Sequence, residues 1–288
     1  MKILKNTEIE AASEIIKNGG IIAFPTETVY GLGGSAFNEK AVLKIFLAKG
    51  RPSDNPLIVH ISNENQLKAV VSKLPEDALK LKEAFWPGPF TMILPKTDEV
   101  PGVVSANLPT IGVRMPRSEV ALKLIDLSGP IAAPSANISG KPSPTKASHV
   151  VDDLKGKIDA LIEGEDCFFG IESTVYDVSE RAILRPGSIT KEAIETVIGP
   201  INSPSNELVT SPKSPGQKYK HYCPKAKLTI VKGFVENIIE VNAQNLFHIL
   251  RTLDKENIEH AYIKYPEDEA VLDRVLKAAN YNILEVDS

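Results

Sequence analysis

Cysteine is scarce in this chain of 288 residues: Cys167 and Cys223 stand alone, far apart, with no C-x-x-C spacing. That excludes a disulfide framework and a cysteine zinc site, and it points to a reducing, cytoplasmic setting. Long apolar runs are lacking too. Stretches such as Gly20 to Pro25 fall far short of the ~20 residues a membrane-spanning helix needs. The N-terminus, Met1-Lys2-Ile3-Leu4-Lys5-Asn6, turns polar at once and offers no signal-peptide core. No membrane association is expected. Positive charge is not in excess: 33 basic against 37 acidic residues give a formal net charge of −4. A protein that coats nucleic acid with its whole surface is usually basic, so only a local basic patch stays open. No GxxxxGK[ST], HExxH or GxSxG motif occurs.

What is present is ordinary globular composition, 42% hydrophobic and 24% charged. That excludes a disordered chain, a collagen-like repeat and a coiled-coil rod. The length suits about two domains. Ile9, Ala12, Ile15 and Ile16 repeat at helical spacing over 7–18, and Gly19-Gly20 ends that helix. Ile21 to Phe24 reads as a buried strand. Asn38 can cap a second helix with an apolar face of Val42, Leu43, Ile45, Phe46 and Leu47. Further strands are expected at Leu57–Ile61, Phe90–Leu94, Ile111–Met115 and Ile131–Pro134, with helices near 64–72, 75–85 and 118–127. Residues 148–154 read as helical and 160–163 as extended. A hairpin is expected over Ser173–Leu184 with its turn at Ser179-Glu180, then a helix over 189–198. Strands and helices interleave without a strict βαβ rhythm, so the class is α/β with a mixed sheet. Pro200 to Pro224 holds five prolines and four serines, a linker composition. A small second α/β unit follows, with strands at 228–231 and 261–264 and helices at 245–253 and 269–279. The domains read as 1–199, a linker over 200–225, and 226–288.

Four polar segments at or near strand ends carry the chemistry. Pro25-Thr26-Glu27-Thr28-Val29-Tyr30-Gly31-Leu32-Gly33 places hydroxyls and a carboxylate beside glycines that permit close backbone approach. Its Gly31–Ala36 stretch matches a relaxed GxGxxA, but Pro25 and five more residues separate it from the strand, which counts against a dinucleotide fingerprint. Lys49-Gly50-Arg51 sets a point charge beside a planar fork, suited to phosphate or carboxylate. The same residues would also serve as a solvated basic helix end. Arg114, among Ile111, Val113 and Met115, is costly in a strand unless paired, by a ligand carboxylate or a protein acid. Ala132 to Ser143 leads from small residues into hydroxyls and an amide, a composition that builds anion-binding nests or ordinary capped turns. His60 on a strand and Trp86 before Pro87 read as core and packing residues. From Lys213 to Lys227 the linker has five lysines and no acid. Its Tyr219 and Tyr222 suggest docking as a lid over a charged ligand.

These segments, in this order, resemble the YrdC-like family of threonylcarbamoyl-AMP synthases, in the two-domain form with a C-terminal extension. The matching stretches are PTETVYGLG at 25–33, KGRPSDNPL at 49–57, WPGPFT at 86–91, TIGVRMP at 110–116, APSANISGKPSPT at 133–145, ESTV at 172–175, RPG at 185–187 and SPGQKYKHYCP at 214–224. The resemblance covers nearly the whole chain. It implies a twisted mixed sheet around a concave, positively charged pocket, linked to a Rossmann-like α/β domain, with the linker packed over the pocket.

The resemblance also implies the reaction: L-threonine, bicarbonate or CO2, and ATP give threonylcarbamoyl-AMP and pyrophosphate. Mg2+ would come with ATP. The product would pass to a threonylcarbamoyl-transferase complex that modifies tRNA. Carried onto this chain, Thr28, His60, Arg114, Ala133 and Ser173 would hold threonine. Lys49, Arg51, Asn55, Thr110, Ser135, Asn137, Ser143 and Arg185 would hold ATP, with Lys49, Arg51, Ser135 and Asn137 stabilising the reacting phosphate. Tyr219 and His221 would form the lid contact. No protein metal site is implied. One departure is the unit at 226–288, which is short for a Rossmann-like domain. The competing readings are an RNA-binding module using the same concave surface without chemistry, and a carbamoyl-transfer relative acting on another acceptor.

Overall fold

The computed structural model describes residues 1–203 and 221–286. The first unit runs β1 (Lys2–Leu4), α1 (Ile9–Lys17), β2 (Ile22–Phe24), β3 (Gly31–Ser35), α2 (Glu39–Lys49), β4 (Ile58–His60), α3 (Glu64–Val70) and α4 (Glu76–Phe85). It continues through β5 (Phe90–Pro95), α5 (Gly102–Ser105), β6 (Thr110–Arg114), α6 (Glu119–Ser128) and β7 (Ile131–Ala133). It closes with α7 (Ala147–Leu154), β8 (Ala160–Ile162), β9 (Thr174–Asp177), β10 (Ala182–Arg185) and α8 (Lys191–Ile198). Its strands form one mixed sheet in the order β1-β8-β2-β3-β7-β4-β6-β5-β9-β10.

Period-two alternation divides this sheet between two cores. Ile22 and Phe24 of β2, with Ala160 and Ile162 of β8, face a core closed by Ile9, Ala12 and Ile16 of α1 and Leu124 and Ile125 of α6. Ala23 and Leu161 point the other way, into a larger core with Val42, Ile45 and Phe46 of α2. The Asn38 side chain accepts from the Ala41 amide at 3.1 Å, so the expected N-cap forms. Gly50 ends α2 in the left-handed conformation at φ 60, where a glycine carries no Cβ penalty.

Several expectations differ from what forms. Leu43 and Leu47, assigned to the buried face of α2, are 47% and 83% exposed. The apolar face that α2 buries is Ala41, Val42, Ile45, Phe46 and Ala48. Strands β1 and β3 and helix α5 were not foreseen. The glycines of β3 read as loop, yet they form a strand paired with β2, and Ile131 and Phe24 lie so close to Gly33 that a side chain there would collide. Trp86 is a packing residue as read, half-buried, with its indole N–H donating to the Phe90 carbonyl at 2.7 Å.

The second unit contains β11 (Lys227–Lys232), α9 (Leu246–Lys255), β12 (His260–Lys264), α10 (Glu269–Ala278) and β13 (Ile283–Glu285). Its three strands are parallel in the order β12-β11-β13. This is a βαβαβ unit, half of a doubly wound sheet. Its core of Ile230, Phe247, Leu250, Ile263 and Val275 does not stand apart. Val29 and Ile171 of the first unit and Tyr222 pack into the same cluster.

Gly170 marks this junction. It has φ +71, and a Cβ there would collide with the Ala243 carbonyl oxygen and stand 2.7 Å from the Gln244 Cα. Gly170→Ala is expected to lose about 2–4 kcal/mol from backbone strain and overpacking together, read as a lowered melting temperature. Three histidines, His60 and His149 buried and His221 half-buried, are held neutral. Burial first, then nearby cations, pushes His60 down to about 3, His149 to about 4 and His221 to about 3. Between those values and the unfolded value near 6.5, the unfolded chain binds protons that the folded chain refuses. Stability is therefore full above about pH 6.5 and falls as pH drops toward about 4. Urea midpoints measured across pH 4–8 should show this decline, with a shallower slope in His60→Gln.

Candidate functional site

The sheet delivers its polar residues to one place because β4 and β6 run parallel and in register. His60 pairs with Arg114 at their carboxyl ends. β7 runs antiparallel to β4, with Ala133 opposite Ile58. The loop after β2 is stiffened by Thr26, whose hydroxyl accepts from the Thr28 and Val29 amides at 3.2 and 3.3 Å and donates to the Val29 carbonyl at 2.6 Å. A hydroxyl-locked turn of this kind holds Thr28 at a fixed angle.

Arg114 is buried and has several partners. Its guanidinium meets the Glu27 carboxylate at 2.5 Å, donates to the Thr28 hydroxyl at 2.9 Å and to the Gly88 carbonyl at 3.1 Å. A protein acid therefore pairs this arginine, one of the two alternatives its sequence context left open. Arg114 still lines the cavity beside Thr28 and His60. The other Glu27 oxygen, Oε2, is buried without a hydrogen-bond partner among the described residues. His60 is not the satisfied core histidine it resembled in sequence. Its Nδ1 is buried and unpartnered among the described residues, and burial together with the Arg114 charge keeps the ring neutral.

Lys49 and Arg51 form the second group, and both are buried, which overturns the solvated-helix-end reading. The left-handed turn at Gly50 directs both inward. The Lys49 ammonium donates to the Ser135 and Asn137 carbonyls at 2.5 and 2.6 Å. Burial first, then the Arg51 charge, pushes its pKa well below the ordinary lysine value. Ser135 donates to the Asn137 side-chain oxygen at 2.5 Å, and the Asn137 amide spans to the Ile138 and Lys141 carbonyls at 2.9 Å each. Amides of this loop are engaged within the protein, Ala136 with the Tyr30 carbonyl and Ser139 with the Lys49 carbonyl. The positive charge of the site thus rests on side chains as much as on backbone.

Ser173 and Arg185 close the third side. Arg185 donates to the Ser173 carbonyl at 3.1 Å and to its hydroxyl at 3.2 Å, and the Ser173 hydroxyl lies 2.8 Å from that of Thr91. Together these residues surround about 730 Å³ of free space, mouth included. Of the residues singled out in sequence, Thr28, Lys49, Arg51, His60, Arg114, Ala133, Ser135, Asn137, Ser143, Ser173, Arg185 and His221 line it. Asn55 stands behind the wall, its carbonyl accepting from Arg51 at 3.3 Å. Thr110 does not reach it: it opens β6, paired with Pro95, at the opposite end of the strand from Arg114. Tyr219 lies outside the described residues.

Tyr222, read as a docking residue of the linker, lines the cavity, and so do Glu172 and Lys141, which escaped attention as site residues. Glu172 adjoined Ser173 in the ESTV stretch, and a buried acid next to a serine was the available signal. The cavity wall carries Lys49, Arg51, Arg114, Lys141 and Arg185 against the carboxylate of Glu172. Low-dielectric walls concentrate that field, so the cavity suits an anionic ligand although the whole chain is acidic.

Comparison with known proteins follows the same outline. The Sua5/YciO/YrdC family, described as "Telomere recombination", matches residues 14–187. A second family, "Threonylcarbamoyl-AMP synthase, C-terminal domain", matches residues 189–241. The threonylcarbamoyl-AMP synthase of Pyrococcus abyssi is 42% identical over 330 aligned positions, covering 98% of this chain and 97% of that protein. The aligned length exceeds that of this chain, so the archaeal protein has segments this chain lacks. The threonylcarbamoyl-AMP synthase of Bacillus subtilis is 52% identical over 240 positions, covering 80% and 68%. Among solved structures, P. abyssi Sua5 complexed with L-threonine superposes with a TM-score of 0.95 at 40% identity, covering 100% of both chains. E. coli YciO, at 24% identity, 65% of this chain and 95% of its own, shares the fold of the first unit with a TM-score of 0.58. With its larger unit matched nearly throughout and its smaller one aligned to a full-length relative, the chain belongs to the Sua5/YciO/YrdC family, in the form that carries a second, C-terminal domain.

Proposed function

We propose that this chain is a threonylcarbamoyl-AMP synthase, converting L-threonine, bicarbonate or CO2, and ATP into threonylcarbamoyl-AMP and pyrophosphate. In reaction class it is a nucleotidyltransferase. The observation that carries the reading is the buried cationic cavity, in which two groups of residues converge. One is Arg114 with Thr28 and His60; the other is Lys49 and Arg51 with the loop at Ser135 and Asn137. A small amino-acid carboxylate suits the first group, and a polyphosphate suits the second.

The chemistry needs no protein nucleophile. The threonine amine adds to CO2 and loses a proton, giving a carbamate. A carbamate oxygen then bonds to the α-phosphorus of ATP as the bond to the β-phosphate oxygen breaks and pyrophosphate leaves. The chain's contribution is alignment of the two substrates and stabilisation of charge on the transferring phosphoryl group. Arg114, held rigid by Glu27 and the Gly88 carbonyl, offers a fixed fork to the threonine carboxylate. Neutral His60 can hydrogen-bond without adding charge. Lys49 holds the 135–137 loop in shape, and Arg51 and Arg185 supply countercharge to phosphate. The carbamate is labile in water, so an enclosed cavity favours its survival. His221, from the end of the linker, already reaches the cavity wall.

Mg2+ in this reading travels with ATP and offsets phosphate charge. Among the described residues no group of three or more His, Cys, Asp or Glu side chains could hold a metal. The product would go to a threonylcarbamoyl-transferase acting on tRNA, in the cytoplasm. No helix among the described residues is long and apolar enough to cross a membrane. The RNA-binding alternative is disfavoured because Lys49, Arg51, Arg114 and Arg185 are buried around one cavity, not spread over a face that a phosphate backbone could follow.

The test is mass spectrometry of purified protein with L-threonine, bicarbonate, Mg2+ and ATP, threonine being omitted in the control. A threonine-dependent carbamoyl-adenylate with matching pyrophosphate is expected, and its absence from folded protein would refute the assignment. Arg114→Lys keeps the charge and loses the fork. It should raise the threonine KM by about tenfold or more and leave the ATP KM within about threefold. Equal effects on both substrates would sink the carboxylate role.

A further inference from the structure

The C-terminal unit does more than lean on the cavity. Arg274, on α10, is among the largest side chains with no exposed surface, and it points out of its own unit. Its Nε donates to Glu172 Oε2 at 3.2 Å, and its Nη1 donates to the Pro186 carbonyl. Its own helix supplies further acceptors, the Ala270 carbonyl at 3.2 Å and the Asp273 carboxylate at 3.3 Å. Glu172 and Pro186 immediately flank Ser173 and Arg185, which bond to each other across the cavity wall. A cation from outside the cavity therefore ties together the two segments that present them.

The connection goes one step deeper. The other Glu172 oxygen, Oε1, accepts the hydroxyl proton of Ser143 at 2.5 Å. While Glu172 is ionised, Ser143 must donate to it and turn its lone pairs elsewhere. A neutral acid or an amide at 172 would release that constraint, since each carries a donor of its own. Burial alone would push the Glu172 carboxyl up. The Arg274 and Arg185 charges and the Ser143 hydroxyl reverse this and hold it below the usual carboxylate range.

We propose that Arg274 is a positioning residue for the nucleotide side of the cavity, acting through Glu172 to fix Ser143 and Arg185. This rests on the reading that Ser143 and Arg185 face ATP. Arg274 itself does not line the cavity, so its effect on substrate is indirect. The shortened C-terminal unit thus supplies a part that the larger unit lacks.

The experiment uses the full chain and four variants: Arg274→Met, Arg274→Lys, Glu172→Gln and the double variant Arg274→Met/Glu172→Gln. ATP affinity is measured by calorimetry, which does not depend on turnover, and KM for each substrate by pyrophosphate release. Arg274→Met should weaken ATP binding by about tenfold or more with the threonine KM within about twofold, and Arg274→Lys should recover part of the loss. The double variant should match Glu172→Gln alone, because both changes act on one link. Unchanged ATP affinity in Arg274→Met, equal losses for both substrates, or a double variant showing the product of the two single effects would overturn the proposal. If Arg274→Met fails to fold, the double variant, which leaves no unpaired carboxylate, and Arg274→Lys decide by the same criteria. Wild-type protein that binds ATP but forms no adenylate would refute the function and leave this test standing. Wild-type protein that binds no ATP would refute both.

Discussion

Several cations share one cavity in this molecule, and their mutual repulsion is the constraint around which the rest is arranged. Lys49, Arg51, Arg114 and Arg185 are all buried. A buried charge is tolerated only when hydrogen bonds and opposite charges compensate its lost hydration. Each of the four meets that condition differently. Arg114 takes a carboxylate, Lys49 takes backbone carbonyls of a neighbouring loop, Arg51 takes the Asn55 and Pro56 carbonyls, and Arg185 takes Ser173. The loops that look irregular in sequence are the acceptors these cations require. Their proline and glycine content serves to turn carbonyls toward charge.

Those arrangements depend in turn on strand order. The parallel β4–β6 pair, with β7 antiparallel beside β4, brings residues near 60, 114 and 133 together without any of them being close in sequence. Long-range pairing of this kind lets short motifs from distant parts of the chain form one site. Local sequence then has only to supply the right residue at each strand's end.

That division explains what could be read in advance. Helix α2 was legible through Asn38 because capping is local chemistry. The alternation over 174–184 gave the β9–β10 hairpin for the same reason. Strand β3 was not legible, since its glycines satisfy a tertiary demand for space beneath Phe24 and Ile131. Leu43 and Leu47 misled because apolar character does not say which side of a helix a sheet will cover. At the site, polar segments at strand ends stood out in the sequence, while the roles of single residues such as His60 came only from the family resemblance. Glu172 and Arg274 were harder: their significance lies in a contact between residues 102 apart in sequence. Thr110 shows the converse, a polar residue within a recognised stretch that the strand carries away from the cavity.

The pairing of β1 with β8 places Lys2 opposite Ala160. A ribosome delivers residues in order, so the first strand emerges long before its partner exists. Until then its hydrogen-bonding edge has nothing native to join, and α1 cannot be sealed against the finished sheet. Closing so long a loop is entropically costly and slow compared with local helix formation. The wall of the cavity is later still, because residues 172–186 follow β8 and Arg274 follows both. During synthesis Lys49 therefore emerges long before the Ser135 and Asn137 carbonyls that hold it, and Glu172 long before Arg274. The anion-binding pocket is complete only near the end of translation, when the residue that ties its wall together, Arg274, has been made.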